Sequence, residues 1–101
     1  MKIYELQFLP SALKEWRRLD STVREQFKQR LSARLIDPHI ESARLYGMPG
    51  CFKIKLKALG YRLVYRVDEH AITVVVVAVG KREREIVYPV ELVVGASTVS
   101  M

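Results

Sequence analysis

At 101 residues, half of them hydrophobic, the chain has room for one domain with a single modest core, and its composition is not that of a disordered protein. Lysine and arginine number 17 against 11 aspartates and glutamates, a formal charge of +6, which favours nucleic acid or an acidic protein as partner. A lone cysteine excludes an internal disulfide framework, no apolar run is long enough to span a bilayer, and Met1-Lys2 leads into an alternating stretch unlike a signal peptide, so the expectation is a cytoplasmic protein without membrane contact.

Tyr4, Leu6 and Phe8 alternate with Glu5 and Gln7, the period of a first strand. Pro10-Ser11 opens a helix, with Ser11 read as its N-cap and Leu13, Trp16 and Leu19 as its apolar stripe. Asp20-Ser21 breaks that pattern, and Thr22 with Glu25 matches a capping box for a second helix. Val23, Phe27, Leu31 and Leu35 recur every fourth residue along it, and Asp37-Pro38 stops it. The short link predicts a helical hairpin. The segment 38–50 is irregular and ends in the turn cluster Gly47-Met48-Pro49-Gly50.

Phe52, Ile54 and Leu56 then alternate with Lys53, Lys55 and Lys57, and Tyr61-Arg62-Leu63-Val64-Tyr65-Arg66 follows after a short link. A hairpin is predicted, with Lys55 opposite Arg62, Lys53 opposite Val64 and Cys51 opposite Arg66. Lys53, Lys55, Arg62 and Arg66 then share one face. Like charges facing each other destabilise a sheet, so this pattern points to an anionic ligand, with a solvated outer face as the alternative. After a turn at 68–71, Ile72 to Val79 is apolar throughout, as befits a central strand buried on both faces. Gly80 ends it and charge returns at Lys81-Arg82. Residues 1–88 are read as one domain and 89–101 as a loosely ordered tail. The fold class is α+β: a mostly antiparallel four-stranded sheet in the order β-α-α-β-β-β, with the N-terminal helical hairpin on one face.

No metal-ligand spacing, phosphate loop or nucleophile elbow occurs, and no cofactor is implied. His39 and His70 read as surface residues of a connector and a turn. The cationic face remains. Crowded cations at one phosphate favour the neutral form of a neighbouring lysine, which then exchanges protons. Arginine stabilises the added charge of a pentavalent phosphorus. Arg62 and Arg82 each offer a planar fork to a phosphoryl group. Tyr88 is open to reading as a base-stacking group, an acid–base group or a core aromatic. Such a set suits RNA cleavage by 2′-hydroxyl attack without histidine or metal.

Leu13-Lys14-Glu15-Trp16, Ser21 to Gln26, Leu45 to Pro49, Lys53-Ile54-Lys55-Leu56, Gly60 to Tyr65 and Val79 to Arg84 resemble, in unbroken order from Ala12 to Tyr88, the RelE family of toxin–antitoxin mRNA interferases. The resemblance implies a ribosome-dependent endoribonuclease that cuts the mRNA codon in the ribosomal A site. It also implies inhibition by a RelB-like antitoxin, and contact with operator DNA only through that antitoxin. The family's active-site positions fall on Lys53, Lys55, Arg62, Arg82 and Tyr88, all of the family's residue type. The lysines are then acid–base groups, the arginines phosphate stabilisers, and Tyr88 a stacking group that orients the ribose. Arg66, Lys57 and Lys81 are read as further RNA contacts. Lys14, Arg17, Arg18, Arg24 and Lys28 are either contacts to ribosomal RNA or a solvated helix face. After Tyr88 the sequence departs from the family, which continues into a short helix. Pro89 and Val90 to Gly95 suggest an extended tail instead. Two other readings are a ParE-like toxin acting on DNA gyrase and a non-catalytic nucleic-acid-binding module.

Overall fold

A computed structural model describes residues 3–81 and the backbone of 99–100. Strand β1 (Glu5–Phe8) leads into helices α1 (Pro10–Arg18) and α2 (Ser21–Ile36). A single 3₁₀ turn, Glu41–Ala43, precedes strands β2 (Cys51–Leu56), β3 (Tyr61–Asp68) and β4 (Thr73–Lys81), and Val99–Ser100 forms a short β5. The sheet order is β2-β3-β4-β1-β5. The α+β class and the β-α-α-β-β-β order stand.

The sheet is mixed. β1 lies parallel to β4, with Leu6 beside Val74 and Phe8 beside Val76, while the other pairings are antiparallel. Two helices separate β1 from the next strand, so no hairpin turn dictates its direction. The fifth strand, antiparallel to β1, comes from the segment read as tail; the domain boundary at 88/89 lies outside the described residues.

Both helix starts differ from the sequence reading. α1 begins at Pro10 itself, after Leu9 in extended geometry, and no side chain caps it. Proline suits the first helical position, where its missing N–H is no loss. Ser11 therefore sits inside the helix, its hydroxyl buried without a partner among the described residues. α2 begins at Ser21 after Asp20, again without a side-chain cap, so Thr22 and Glu25 stand too far along to form a box. Arg24 instead donates to the carbonyls of Arg17 (3.3 Å) and Leu19. A cation at a helix C-terminus offsets the partial negative charge of its last carbonyls.

Ala12, Leu13 and Trp16 of α1 and Val23, Phe27 and Leu31 of α2 enter the core. There Trp16 stands 5.2 Å from Phe8 and 6.2 Å from Phe27, ring centre to ring centre. Ile54, Leu63, Val74 and Val76 join the same cluster. Thr73 to Val79 are all buried, as expected of a central strand.

Candidate active site: a cationic face on the hairpin

The register of β2 against β3 follows from the turn. Residues 57–60 close it, the Gly60 N–H bonds to the Leu56 carbonyl at 2.8 Å, and Gly60 takes a φ of 73° that a side chain would resist. Leu56 then pairs with Tyr61, Lys55 with Arg62, Lys53 with Val64 and Cys51 with Arg66. This is the register read from the alternation. Across to β4, Arg62 pairs with Gly80 and Val64 with Ala78. A bulge follows, because Tyr65 pairs with Val76 and leaves Val77 between. Arg66 then faces Val75.

Three rows result on one face: Lys55–Arg62–Gly80, Lys53–Val64–Ala78 and Cys51–Arg66–Val75. Strand alternation turns their side chains away from the helices, to the side opposite Ile54, Leu63 and Tyr65. The floor is buried: Cys51, Val64, Val75 and Ala78 are each less than a tenth exposed. The cations stand on it half-buried. Arg62 is the most telling of them. Its Nε is buried and has no hydrogen-bond partner among the described residues. Beside it Gly80 offers bare backbone, and a Cβ built there would meet nothing within 4 Å. A guanidinium nitrogen without a partner among the described residues, with a lysine directly across, is chemistry suited to an anion.

Of the other sequence-read residues, Lys57 is exposed in the turn after β2. Lys81 is exposed at the end of β4 and pairs with Tyr61, which gives it the opposite facing to Gly80. Arg82 and Tyr88 lie outside the described residues. His39 is half-exposed, its Nε2 3.0 Å from a Glu69 carboxylate oxygen that also accepts from the Tyr4 hydroxyl at 2.9 Å. His70 is exposed in the β3–β4 turn. Neither histidine is on the cationic rows. Among the described residues no three metal-ligating side chains gather, and no helix is long and apolar enough to cross a membrane.

A support beneath Lys53 was not read from the sequence. Arg34 of α2 donates to the Tyr65 hydroxyl at 2.8 Å and to the Lys53 carbonyl at 3.3 Å. The Tyr65 hydroxyl donates to the Pro38 carbonyl at 2.8 Å. Tyr65 is fully enclosed, and burial pushes its hydroxyl above the usual tyrosine range while Arg34 pulls it back. The network ties the end of α2 to the strand that carries both lysines. The signal available was a tyrosine on the buried parity of β3, whose hydroxyl needs a partner.

Cys51 closes the floor at 2 % exposure. Burial pushes its thiol up, against a smaller opposing effect from Arg66. The thiolate is the reactive form, so a maleimide or iodoacetamide should label Cys51 at least about 100-fold more slowly in the folded protein than in urea. Labelling at equal rates would contradict this packing.

A model of the family described as ParE toxin of type II toxin–antitoxin systems matches residues 6–86. The chain is 56% identical over 85 residues to the mRNA interferase toxin RelE of Escherichia coli strain K12, covering 84% of this chain and 90% of that protein. The crystal structure of the isolated E. coli RelE toxin superposes with a TM-score of 0.78 at 55% identity, over 81% of this chain and 87% of that one. The toxin in the intact E. coli RelBE toxin–antitoxin complex gives 0.77 at 56% identity, over 80% and 99%.

Proposed function

The chain belongs to the ParE-type toxin family of type II toxin–antitoxin systems and within it to the RelE toxins, and from that premise we propose that its cationic hairpin face cuts messenger RNA on the ribosome. It is the toxin of a toxin–antitoxin pair and an endoribonuclease of the mRNA interferase type. The family model carries the ParE name, but the extent of identity to RelE favours RNA chemistry over gyrase inhibition. The observation that carries the mechanism is the Arg62 Nε, buried and without a partner among the described residues, between Lys55 and bare Gly80.

The scissile phosphate sits over that row. The 2′-oxygen attacks the adjacent phosphorus, and the bond from phosphorus to the 5′-oxygen breaks. One of Lys53 and Lys55 accepts the 2′-hydroxyl proton and the other supplies a proton to the leaving oxygen. The products are a 2′,3′-cyclic phosphate and a 5′-hydroxyl. Arg62, joined by Arg82, holds the extra charge of the pentavalent state, and Tyr88 stacks on a base of the codon. Arg66, Lys57 and Lys81 are further contacts along the RNA. Acid–base groups of this kind contribute on the order of 10²–10⁴ in rate, and a charge-stabilising donor about 10²–10³. Positioning supplies the rest, and the ribosome provides it by holding the message in line for attack. The antitoxin is of the RelB type, and it alone brings the toxin to operator DNA.

The test is to map message ends on programmed ribosomes. Cuts confined to the A-site codon, bearing cyclic phosphate and absent with Arg82→Ala, are expected, while a free oligonucleotide stays nearly intact. Intact message with gyrase-linked DNA breaks would return the reading to ParE. Efficient cutting of the free oligonucleotide would remove the ribosome from the mechanism.

A further inference from the structure

β2 is the outer strand in the order β2-β3-β4-β1-β5, so β3 alone pairs with it along its length. Outer strands, with fewer bonds to hold them, are among the first parts of a sheet to open. This one carries Lys53 and Lys55, and the chain supplies local holds on its outward side. The Leu45 N–H donates to the Cys51 carbonyl at 2.9 Å. Carbonyls two residues apart point the same way, so that of Lys53 is the next on this side, and Arg34 donates to it at 3.3 Å. The same nitrogen, Arg34 Nη1, donates to the Tyr65 hydroxyl at 2.8 Å, and the guanidinium carbon stands 5.7 Å from the centre of the Tyr65 ring. Tyr65 is a firm post. It is fully enclosed, its hydroxyl donates to the Pro38 carbonyl at 2.8 Å, and its ring stacks on Phe52 with centres 5.6 Å apart. Arg34 lies in the last turn of α2, where a cation ordinarily serves the helix's own carbonyls, yet these donors reach the sheet.

We propose that Arg34 is a positioning residue for message cleavage: it pins the backbone of Lys53 from the helical side, so that the lysine side chain on the opposite face is held in line with the scissile phosphate. The proposal rests on the reading that Lys53 exchanges a proton with the RNA. A lysine stem is flexible, and the strand beneath it is the only rigid part of its support. Proton exchange needs the two groups within hydrogen-bond reach, so a drift of the strand is a drift of the reaction. Lys55 stands next to the turn that the Gly60 N–H closes onto the Leu56 carbonyl at 2.8 Å. Lys53 stands in the middle of β2, between that turn and the hold on Cys51, and Arg34 fills the interval. Arg34 acts through Lys53 and does not meet the message, because it comes from the helical layer and its Nη1 is engaged by two protein acceptors.

The experiment is single-turnover cleavage by the full chain on programmed ribosomes, with the ribosome concentration varied. Arg34→Met keeps the length of the side chain and removes its donors. It should lower the rate at saturation at least about tenfold, since a displacement of about 1 Å costs on the order of 10², and leave the half-saturating concentration nearly unchanged. Arg34→Lys, which keeps the charge and several donors, should recover part of the rate. With Lys53 already alanine, Arg34→Met should lower the rate no further, as expected of two residues acting as a unit. If Arg34→Met fails to fold, Tyr65→Phe carries the same test, because it keeps the ring and releases Arg34 from its post. An undiminished rate in folded Arg34→Met, a loss confined to the half-saturating concentration, or a full further loss in the Lys53→Ala background would each overturn the proposal. Hydrogen exchange separates it from the nuclease reading. The amides of Phe52 and Ile54, which face β3, should exchange at least about tenfold faster in Arg34→Met, while those of Val74 and Val76 keep their protection. Equal exchange in β2 would overturn the clamp. Faster exchange in β2, with no message cut by the unsubstituted chain, would uphold the clamp and sink the nuclease reading instead.

Discussion

Arg62→Ala should lower the single-turnover rate of message cleavage on programmed ribosomes by about 10²–10³ while leaving the fold intact. The Arg62 Nε is enclosed yet unbonded among the described residues, and its strand neighbour Gly80 has no side chain to fill the space. A structural arginine would have found a carboxylate or a carbonyl there. Its cross-strand partner is Lys55, a like charge. Removing one of two opposed cations relieves repulsion, although the aliphatic stem of Arg62 is lost with it. The two effects oppose, so the urea midpoint should shift by no more than about 1 kcal/mol equivalent. Arg62→Lys should recover only part of the rate, because an ammonium restores charge without the planar fork. Undiminished cleavage by the alanine variant would mean that the phosphate is held elsewhere.

Phe8→Ala should cost about 3–5 kcal/mol of folding free energy, read from urea unfolding. For a chain of this size the whole stability is about 5–15 kcal/mol, so the variant should be near the edge of folding at 37 °C. Phe8 is fully enclosed and begins the line of rings that runs through Trp16 to Phe27. It also sits on β1, in register with Val76 of the central strand. One substitution therefore opens a cavity where a helix, an inserted strand and the middle of the sheet meet. Phe8→Leu should cost much less, since most of the volume is kept. A loss below about 1 kcal/mol for the alanine variant would place Phe8 outside the core.

What the sequence disclosed follows from how local each determinant is. The β2–β3 register was legible because alternation gives the facing of each side chain and a short turn ending at Gly60 leaves no slack. The burial of β4 was legible because its residues are apolar on both parities. The direction of β1 was not, since two helices intervene and nothing in five or six residues encodes which strand they will join. The helix starts were misread for a different reason: Ser11 and Thr22 are good capping residue types, but Pro10 sets the backbone angle of the first turn, and Asp20 takes the position before α2. The bulge at Val77 left no mark either, because the apolar run reads the same with one residue more or fewer. Lys53, Lys55, Arg62 and Arg66 emerged from pattern and charge. Arg82 and Tyr88 came from resemblance to the RelE family, and both lie outside the described residues. Arg34 escaped notice because its role depends on where the end of α2 lands against β2, which is a property of the assembled sheet.

The pairing of β1 with β4 has a consequence for the order in which the chain can fold. Glu5 finds its neighbour only in Thr73, so the opening strand waits while most of the chain is synthesised, and contacts between such distant positions are the slow ones to form. The Lys55–Arg62–Gly80 row is also incomplete until β4 has been made and has paired with β3. A nascent chain that has not reached β4 therefore lacks that row.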